Sequence, residues 1–317
     1  MKILVTGVNG QLGHDVVRAL SGRGHLVVGS DRAEACAGSA DGSPVPAVQY
    51  RPMDITDGEA VQRIIGEIRP DAVIHCAAWT DVDGAEEHRE QASAVNAGGT
   101  KHIAQALREL GARMMYISTD YVFDGQGERP WKPEDRPCRP LNVYGRTKLE
   151  GEEAVSSLLN QFFIVRTAWV FGLGGKNFVQ TMIRAGQTRG AVRVVRDQIG
   201  TPTYTLDLAR LLADMIETDR YGYYHATNEG GYISWYDFCC EIYRQVGLKT
   251  KVLPITTAEY GLSKAVRPLN SRLDKSKLVQ AGFEPLPVWQ DAVHRYLKEA
   301  KWLSAAEGQE SHGSDHS

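Results

Sequence analysis

Long apolar runs are missing from this chain: none approaches the ~18–20 residues a membrane span needs, which argues against an integral membrane protein. A charged start followed by an apolar core is missing too. MKILVTG runs straight into a strand-like segment, so no secretory signal is expected. Cysteine is scarce, with five (Cys36, Cys76, Cys138, Cys239 and Cys240), no C-x-x-C pair and no Cys/His cluster of zinc spacing. That excludes a disulfide framework or a zinc module and points to a reduced, cytoplasmic protein. An excess of one charge is also absent: 36 basic and 39 acidic side chains leave a formal net charge of −3. Such a balance gives no general attraction to nucleic acid or to anionic membrane. There is no internal repeat.

What is present is ordinary globular composition, 42% hydrophobic and 24% charged over 317 residues. That length suffices for one large α/β domain or two moderate ones. Short β-type runs alternate with helix-type stretches through the first half. KILVT (2–6), HLVVGSD (25–31), AVIHCAA (72–78), ARMMYIST (112–119) and FFIVRTAWVF (162–171) read as strands. QLGHDVVRALSGRG reads as a helix with apolar residues at helical spacing. Apolar strands with helices between them predict a doubly wound parallel sheet covered on both faces. Residues 33–47 (AEACAGSADGSPVPA) read as a surface loop. Beyond about 170, NFVQTMIRAG, TLDLARLLADMIE and SWYDFCCEIYRQVG read as helices, the last opening on a Ser N-cap. The tail from Ala305 lacks apolar periodicity and is expected to be disordered.

Directly after the first strand stands TGVNGQLG, whose Gly7, Gly10 and Gly13 open a helix, with Gln11 and Leu12 in the same loop. Glycines there permit a tight turn and let a pyrophosphate rest on the helix N-terminus. A glycine triplet alone is a weak signal; its place between strand and helix of a βαβ unit makes it a dinucleotide loop. The second strand ends in Asp31-Arg32. A carboxylate there accepts the adenosine ribose hydroxyls and suits NAD, whereas an arginine suits the extra phosphate of NADP, so NADH and NADPH both stay open. After the third strand, MDITD offers Asp54 to the adenine amino group with Ile55 beside it, and Thr56 or Asp57 as the next helix cap.

NVYGRTKLEGE carries Tyr144 and Lys148, which four residues apart on a helix share one face. A tyrosine with its usual pKa near ~10 is a reluctant acid or base at neutral pH. A nearby ammonium and an oxidised nicotinamide ring are expected to lower that pKa. The phenol could then exchange a proton with a carbonyl oxygen while hydride moves to its carbon. Lys148 could also bond the nicotinamide ribose. Tyr-x-x-x-Lys alone is common. Behind a dinucleotide loop, with Thr119 after Ser118 at a strand end facing the ligand crevice, it becomes a catalytic set.

Further stretches match one family: AAWTDVDGAEE (77–87), VNAGGT (95–100), STDYVFDG (118–125), PLNVYGRTKLEGE (140–152), RTAWVFG (166–172), DQIGTPT (197–203) and RPLNSRLD (267–274). With the glycine loop they make the chain resemble the extended short-chain dehydrogenase/reductases over about residues 1–300, and within them the dTDP-4-dehydrorhamnose reductase family. The resemblance implies Thr119, Tyr144 and Lys148 as catalytic trio, and Asn96 as the asparagine supporting a bound water and the lysine. It implies Ala77 and Ala78 along the cofactor. Trp169 would lie beside the sugar pocket, although aromatic core filling suits it equally. Asp120, Arg267, Asn270 and Ser271 are implied as contacts to sugar or nucleotide; an arginine near a diphosphate has an electrostatic reason.

The implied reaction is reduction, by NADPH or NADH, of the C4 ketone of a dTDP-6-deoxy-4-keto hexose to dTDP-L-rhamnose. Tyr144 would protonate the emerging alkoxide and Thr119 would hold it. Related 4,6-dehydratases have Asp-Glu after the active-site Thr; here Asp120-Tyr121 follows, which counts against elimination. A sugar-nucleotide epimerase is an alternative. So is a binding role like that of the regulatory subunit of methionine adenosyltransferase, against which the complete acid/base set argues. Some reductases of the family form a magnesium-dependent dimer through glutamates. Here the first-helix position is Asp15 and TPTYTLDL has no glutamate, so no metal is expected. The expected layout is a Rossmann domain over 1–170 plus part of 191–230, and a smaller substrate domain over 171–190 and 230–304, with 305–317 a tail. The crevice would lie between them. The expected partner is a nucleotide sugar, with a homodimer as an open option.

Overall fold

Alternating apolar strands and amphipathic helices build one parallel sheet in the computed structural model, which describes residues 1–36 and 48–303. The expected tail, and most of the loop expected at 33–47, lie outside the described residues. The strands are β1 (Lys2–Thr6), β2 (Leu26–Ser30), β3 (Gln49–Tyr50), β4 (Ala72–His75), β5 (Arg113–Thr119), β6 (Phe162–Thr167) and an edge strand, Gly222–His225. Their order runs from that edge strand through β6, β5, β4, β1 and β2 to β3, every pair parallel. The chain reverses direction across the sheet between β1 and β4, and a ligand crevice opens at such a switch point, outside the strand C-termini.

Strand periodicity divides the core between the two faces. Ile3, Val5, Ile74, Met115 and Val165 pack with Val16, Val17 and Leu20 of the helix Gln11–Ser21 and with Leu208 and Leu212 of the helix Thr205–Ile216. Their neighbours Leu4, Val73, Met114, Tyr116 and Ile164 face the other way, against Val61 and Ile65, Ile103 and Leu107, and Val155. Those residues come from the helices Gly58–Ile68, Thr100–Leu110 and Val143–Leu158. A further core joins Phe171, Val179, Ile183, Val192, Val194, Phe238, Ile242, Trp289, Val293 and Tyr296. Leu278, Phe283 and Leu286, late in the chain, pack back onto the large sheet.

The run 162–171, read as one strand, is two. β6 ends at Thr167, and Val170–Phe171 pairs separately with Thr203–Tyr204. The break falls at Trp169, whose φ of 51° takes the chain out of extended geometry. Asp57, and not Thr56, caps the helix Gly58–Ile68 by accepting the Ala60 N–H at 3.0 Å. Ser234 caps the helix Trp235–Val246 in a reciprocal box with Asp237. All five cysteines are unpaired. Among the described residues no helix is long and apolar enough to cross a membrane.

Candidate active site

β1 delivers the chain into a turn that only glycine can make. Gly7 has φ +74°, and a Cβ on it would stand 2.6 Å from the Ala77 backbone nitrogen. A Cβ on Gly13 would stand 2.1 Å from the Gly7 carbonyl oxygen. Gly10 is the N-cap of the helix Gln11–Ser21 and brings no capping side chain, so the first-turn N–H groups keep their capacity for an anion. Leu12 packs against the sheet core. Gln11 reaches the other core: its Oε1 accepts the Asn177 amide at 3.2 Å and its Nε2 faces the Lys176 carbonyl at 3.4 Å.

At the tip of β2, Asp31 is fixed by two backbone donors, Asn9 N–H to Oδ2 (3.1 Å) and Arg32 N–H to Oδ1 (2.8 Å). The Arg32 side chain is exposed and favours the ionised form of Asp54. The larger pull on Asp54 is local: Oδ1 accepts the Thr56 N–H and hydroxyl at 2.9 and 2.7 Å, which lowers its pKa. Ile55 is buried against Gly99. Ala77 donates its N–H to the Thr6 hydroxyl at 3.3 Å, and Ala78 follows it, half-buried. An uncapped helix start, a cradle that a Cβ would fill and a fixed carboxylate at the second strand fit a dinucleotide.

The helix Val143–Leu158 carries Tyr144 and Lys148, the pair expected to be catalytic. Its cap, Asn142, accepts the Gly145 N–H at 2.8 Å and donates to the Val266 carbonyl at 2.9 Å, tying the helix start to the C-terminal segment. Close approach to β5 is possible because Gly151 has no side chain; a Cβ there would lie 2.3 Å from the Tyr116 hydroxyl. Lys148 is thereby buried, its ammonium 4.1 Å from the Tyr116 ring centroid. No acceptor among the described residues hydrogen-bonds that ammonium. Burial lowers its pKa to about 7, against the opposing charge of Glu152.

The pKa of Tyr144, one turn earlier, is raised in the chain alone, whereas the expected lowering belongs to the state with an ammonium and an oxidised nicotinamide ring beside it. Desolvation pushes it above the usual phenol range, the Thr119 hydroxyl opposes this, and the Asp120 charge adds to the rise. Lys148 points past the phenol towards Tyr116, His75 and Cys76, so its charge does not reach Tyr144 strongly. In the chain alone Tyr144 is a neutral phenol.

Behind the pair lies a buried polar network. The Glu152 Oε1 accepts from Ser118 (2.5 Å) and from Arg166 Nε (2.8 Å), while Oε2 accepts from Arg166 Nη2 (2.6 Å). This ties the end of β5 to the helix Val143–Leu158. Asn96 sits in a π-helical turn, Ala94–Gly99. Its Oδ1 accepts the Trp79 N–H (2.8 Å) and its Nδ2 donates to the Trp79 carbonyl (3.2 Å) and the Thr147 hydroxyl (3.0 Å). The side chain is thus spent on seating that helix against the segment after β4.

The implied substrate residues divide. Thr119 and Asp120 are buried beside Tyr144, the Thr119 hydroxyl donating to Asp120 Oδ1 at 3.0 Å. Ser271, also buried, faces Asp120 and favours its carboxylate. Gly200 lies between Ser271 and Trp169: a Cβ there would stand 2.9 Å from Trp169 and 3.1 Å from Ser271. The Trp169 ring stacks on Trp235 at 3.8 Å. Arg267 already has a partner, a two-pronged pair with Asp83 at 3.0 and 2.9 Å. Asn270 is buried and donates to the Gln126 and Arg129 carbonyls while accepting from Arg272, so it braces the segment after β5. Asp15 is buried under the helix Thr205–Ile216, accepting the Thr205 hydroxyl at 2.6 Å.

Glu152, Arg166 and Asp83 were not singled out from the sequence. For Glu152 a signal existed, since it lies four residues after Lys148 and shares its helix face. Arg166 and Asp83 meet their partners only through the fold.

The family model described as RmlD substrate binding domain matches residues 1–302. The chain belongs to that family. Among its RmlD-family relatives, the dTDP-4-dehydrorhamnose reductase of Streptomyces griseus is 43% identical over 296 residues, covering 92% of this chain and 91% of that one. The crystal structure of a dTDP-4-dehydrorhamnose reductase from Clostridium acetobutylicum superposes with TM-score 0.86 at 40% identity, covering 95% of this chain and 100% of that one. The Bacillus anthracis dTDP-4-dehydrorhamnose reductase, solved in complex with NADP, gives TM-score 0.83 at 38% identity over 94% and 99% of the two chains.

Proposed function

We propose that this RmlD-family chain is an NAD(P)H-dependent reductase acting on the C4 ketone of a dTDP-linked 6-deoxy-4-keto hexose, the step that forms dTDP-L-rhamnose. The observation that carries the reading is the gathering of Thr119, Tyr144 and Lys148 at the C-terminal end of β5, on the side of the sheet where the glycine cradle opens. When bound, the cofactor supplies the hydride. Gly7, Gly10 and Gly13 would hold its pyrophosphate, and Asp31 and Arg32 its adenosine ribose. The Lys148 ammonium would reach the nicotinamide ribose hydroxyls. Tyr144, kept protonated by burial, gives its proton to the ketone oxygen as charge develops there. Thr119 lies beside it as the second hydroxyl for that oxygen.

On this reading residues 1–170 and part of 191–230 carry the cofactor, and 171–190 with 230–304 carries the sugar nucleotide. Trp169, Ser271 and Asp120 line the sugar side. The pairing of Arg267 with Asp83 supports a role for Arg267 at the rim, and Asn270 acts through the backbone it braces. The cytoplasm is the compartment that unpaired cysteines suit.

The test is NADH and NADPH oxidation, followed by absorbance, with a small panel of nucleotide-linked 4-keto sugars. Turnover with the dTDP-linked 6-deoxy-4-keto sugar is expected. A chain that binds the cofactor and turns over none of the panel overturns the reading.

A further inference from the structure

Thr119 has one hydroxyl proton, and it is already committed. It goes to Asp120 Oδ1 at 3.0 Å, while the oxygen accepts the Tyr121 N–H at 3.2 Å. In that arrangement Thr119 offers no hydrogen to a ketone in the crevice. Asp120 is itself unusual. It is buried, and no donor among the described residues hydrogen-bonds its Oδ2. A carboxylate so placed has given up water on one oxygen without full replacement, which a carboxylic acid would tolerate far better.

We propose that Asp120 is a positioning residue whose protonation sets the direction of the Thr119 hydroxyl. As a carboxylate it draws the Thr119 proton away from the crevice. As a carboxylic acid it donates to Thr119 Oγ1 and turns that proton outward, where it meets the ketone oxygen beside Tyr144. The inference rests on the reductase reading above and adds to it a residue that acts through Thr119.

The surroundings fit this role. Among the described residues, the groups that interact electrostatically with Asp120 besides Thr119 are the Tyr144 phenol from the catalytic helix, the Tyr121 phenol from its own turn and the Ser271 hydroxyl from the C-terminal segment. Arg267 acts on Tyr121 from the rim, with its charge balanced by Asp83. Among the described residues no cation therefore pairs with Asp120. Burial raises its pKa to about 6, with Ser271 and Thr119 opposing, so both forms are reachable near neutrality.

The sign follows. The productive form is protonated, so kcat/KM rises as pH falls through about 6. Between pH 7 and pH 5 the protonated fraction of Asp120 grows about tenfold, and that of Lys148 about twofold from its pKa of about 7. Wild type should gain about twentyfold over that interval; Asp120→Asn should keep only about twofold, because its amide orients Thr119 independently of pH. Ser271→Ala removes a group that favours the carboxylate, so the lower limb should move to higher pH. The carboxyl 13C resonance absent from Asp120→Asn should titrate near pH 6 in the cofactor-free chain. A wild-type pH profile in Asp120→Asn, a raised KM with the limb intact, or an unmoved limb in Ser271→Ala each overturns the proposal. Absence of wild-type turnover overturns the reductase reading instead, a result told apart because it appears before any variant is compared.

Discussion

The ammonium of Lys148 rests 4.1 Å from the ring centroid of Tyr116, over a π-face and away from the Tyr144 phenol. A cation over an aromatic ring is held without being hydrogen-bonded. Its N–H groups therefore stay available for a ligand's hydroxyls.

Replacing Lys148 by Met should cost cofactor affinity and lower turnover by about 10²-fold or more. In wild type the ammonium prevails below pH 7 and is lost above it, because burial has lowered its pKa to about 7. kcat/KM should accordingly fall as pH rises through about 7, a limb that Lys148→Met lacks. Steady-state rates across pH 5–9 check both statements.

Tyr144→Phe removes one oxygen from a half-buried ring that packs edge-on against Tyr121 at 5.6 Å. Turnover should drop by about 10²–10⁴-fold. Cofactor affinity, read by quenching of NADPH fluorescence, should stay within about twofold of wild type, since the phenol is assigned to proton donation.

Glu152→Ala leaves the fully buried Arg166 guanidinium without its carboxylate. Loss of one partner of a buried pair costs about 3–5 kcal/mol, which urea unfolding would register. Glu152 also raises the pKa of Lys148, so in Glu152→Gln the alkaline limb of kcat/KM should move to lower pH. A stable variant with an unmoved limb would remove Glu152 from the electrostatics of the site.

Gly13→Ala would place a Cβ 2.1 Å from the Gly7 carbonyl, a contact that the turn can relieve only by opening. NADPH affinity should fall by about tenfold or more, as the backbone no longer approaches the pyrophosphate. Fluorescence titration decides it.

The glycine loop and the Tyr144–Lys148 pair were legible because both are local: a turn needs particular residues at fixed offsets, and helical neighbours recur every four positions. The strands before residue 168, apart from the two-residue Gln49–Tyr50, were legible from apolar runs for the same reason. What escaped depends on distant residues. Arg267 looked free for a phosphate, but its partner Asp83 lies 184 positions away in sequence. Asn270 looked like a ligand contact, while the carbonyls it binds belong to Gln126 and Arg129. The rise at Tyr144 in the chain alone was not legible, because spacing places Lys148 on the same helix face without saying where its ammonium points. The break at Trp169 gave no sign, since an aromatic residue within an apolar run reads as more strand.

Trp169 holds a left-handed backbone that costs an L-residue about 1–2 kcal/mol, and its ring lies flat on Trp235 next to Ser271 across Gly200. Penalty and service thus fall on one residue. Glycine there would relax that strain but lose the Trp235 stack and the packing against two cores, a loss of about 3–5 kcal/mol, so the strained backbone is held in place by the ring it carries and Trp169→Gly should be the less stable protein.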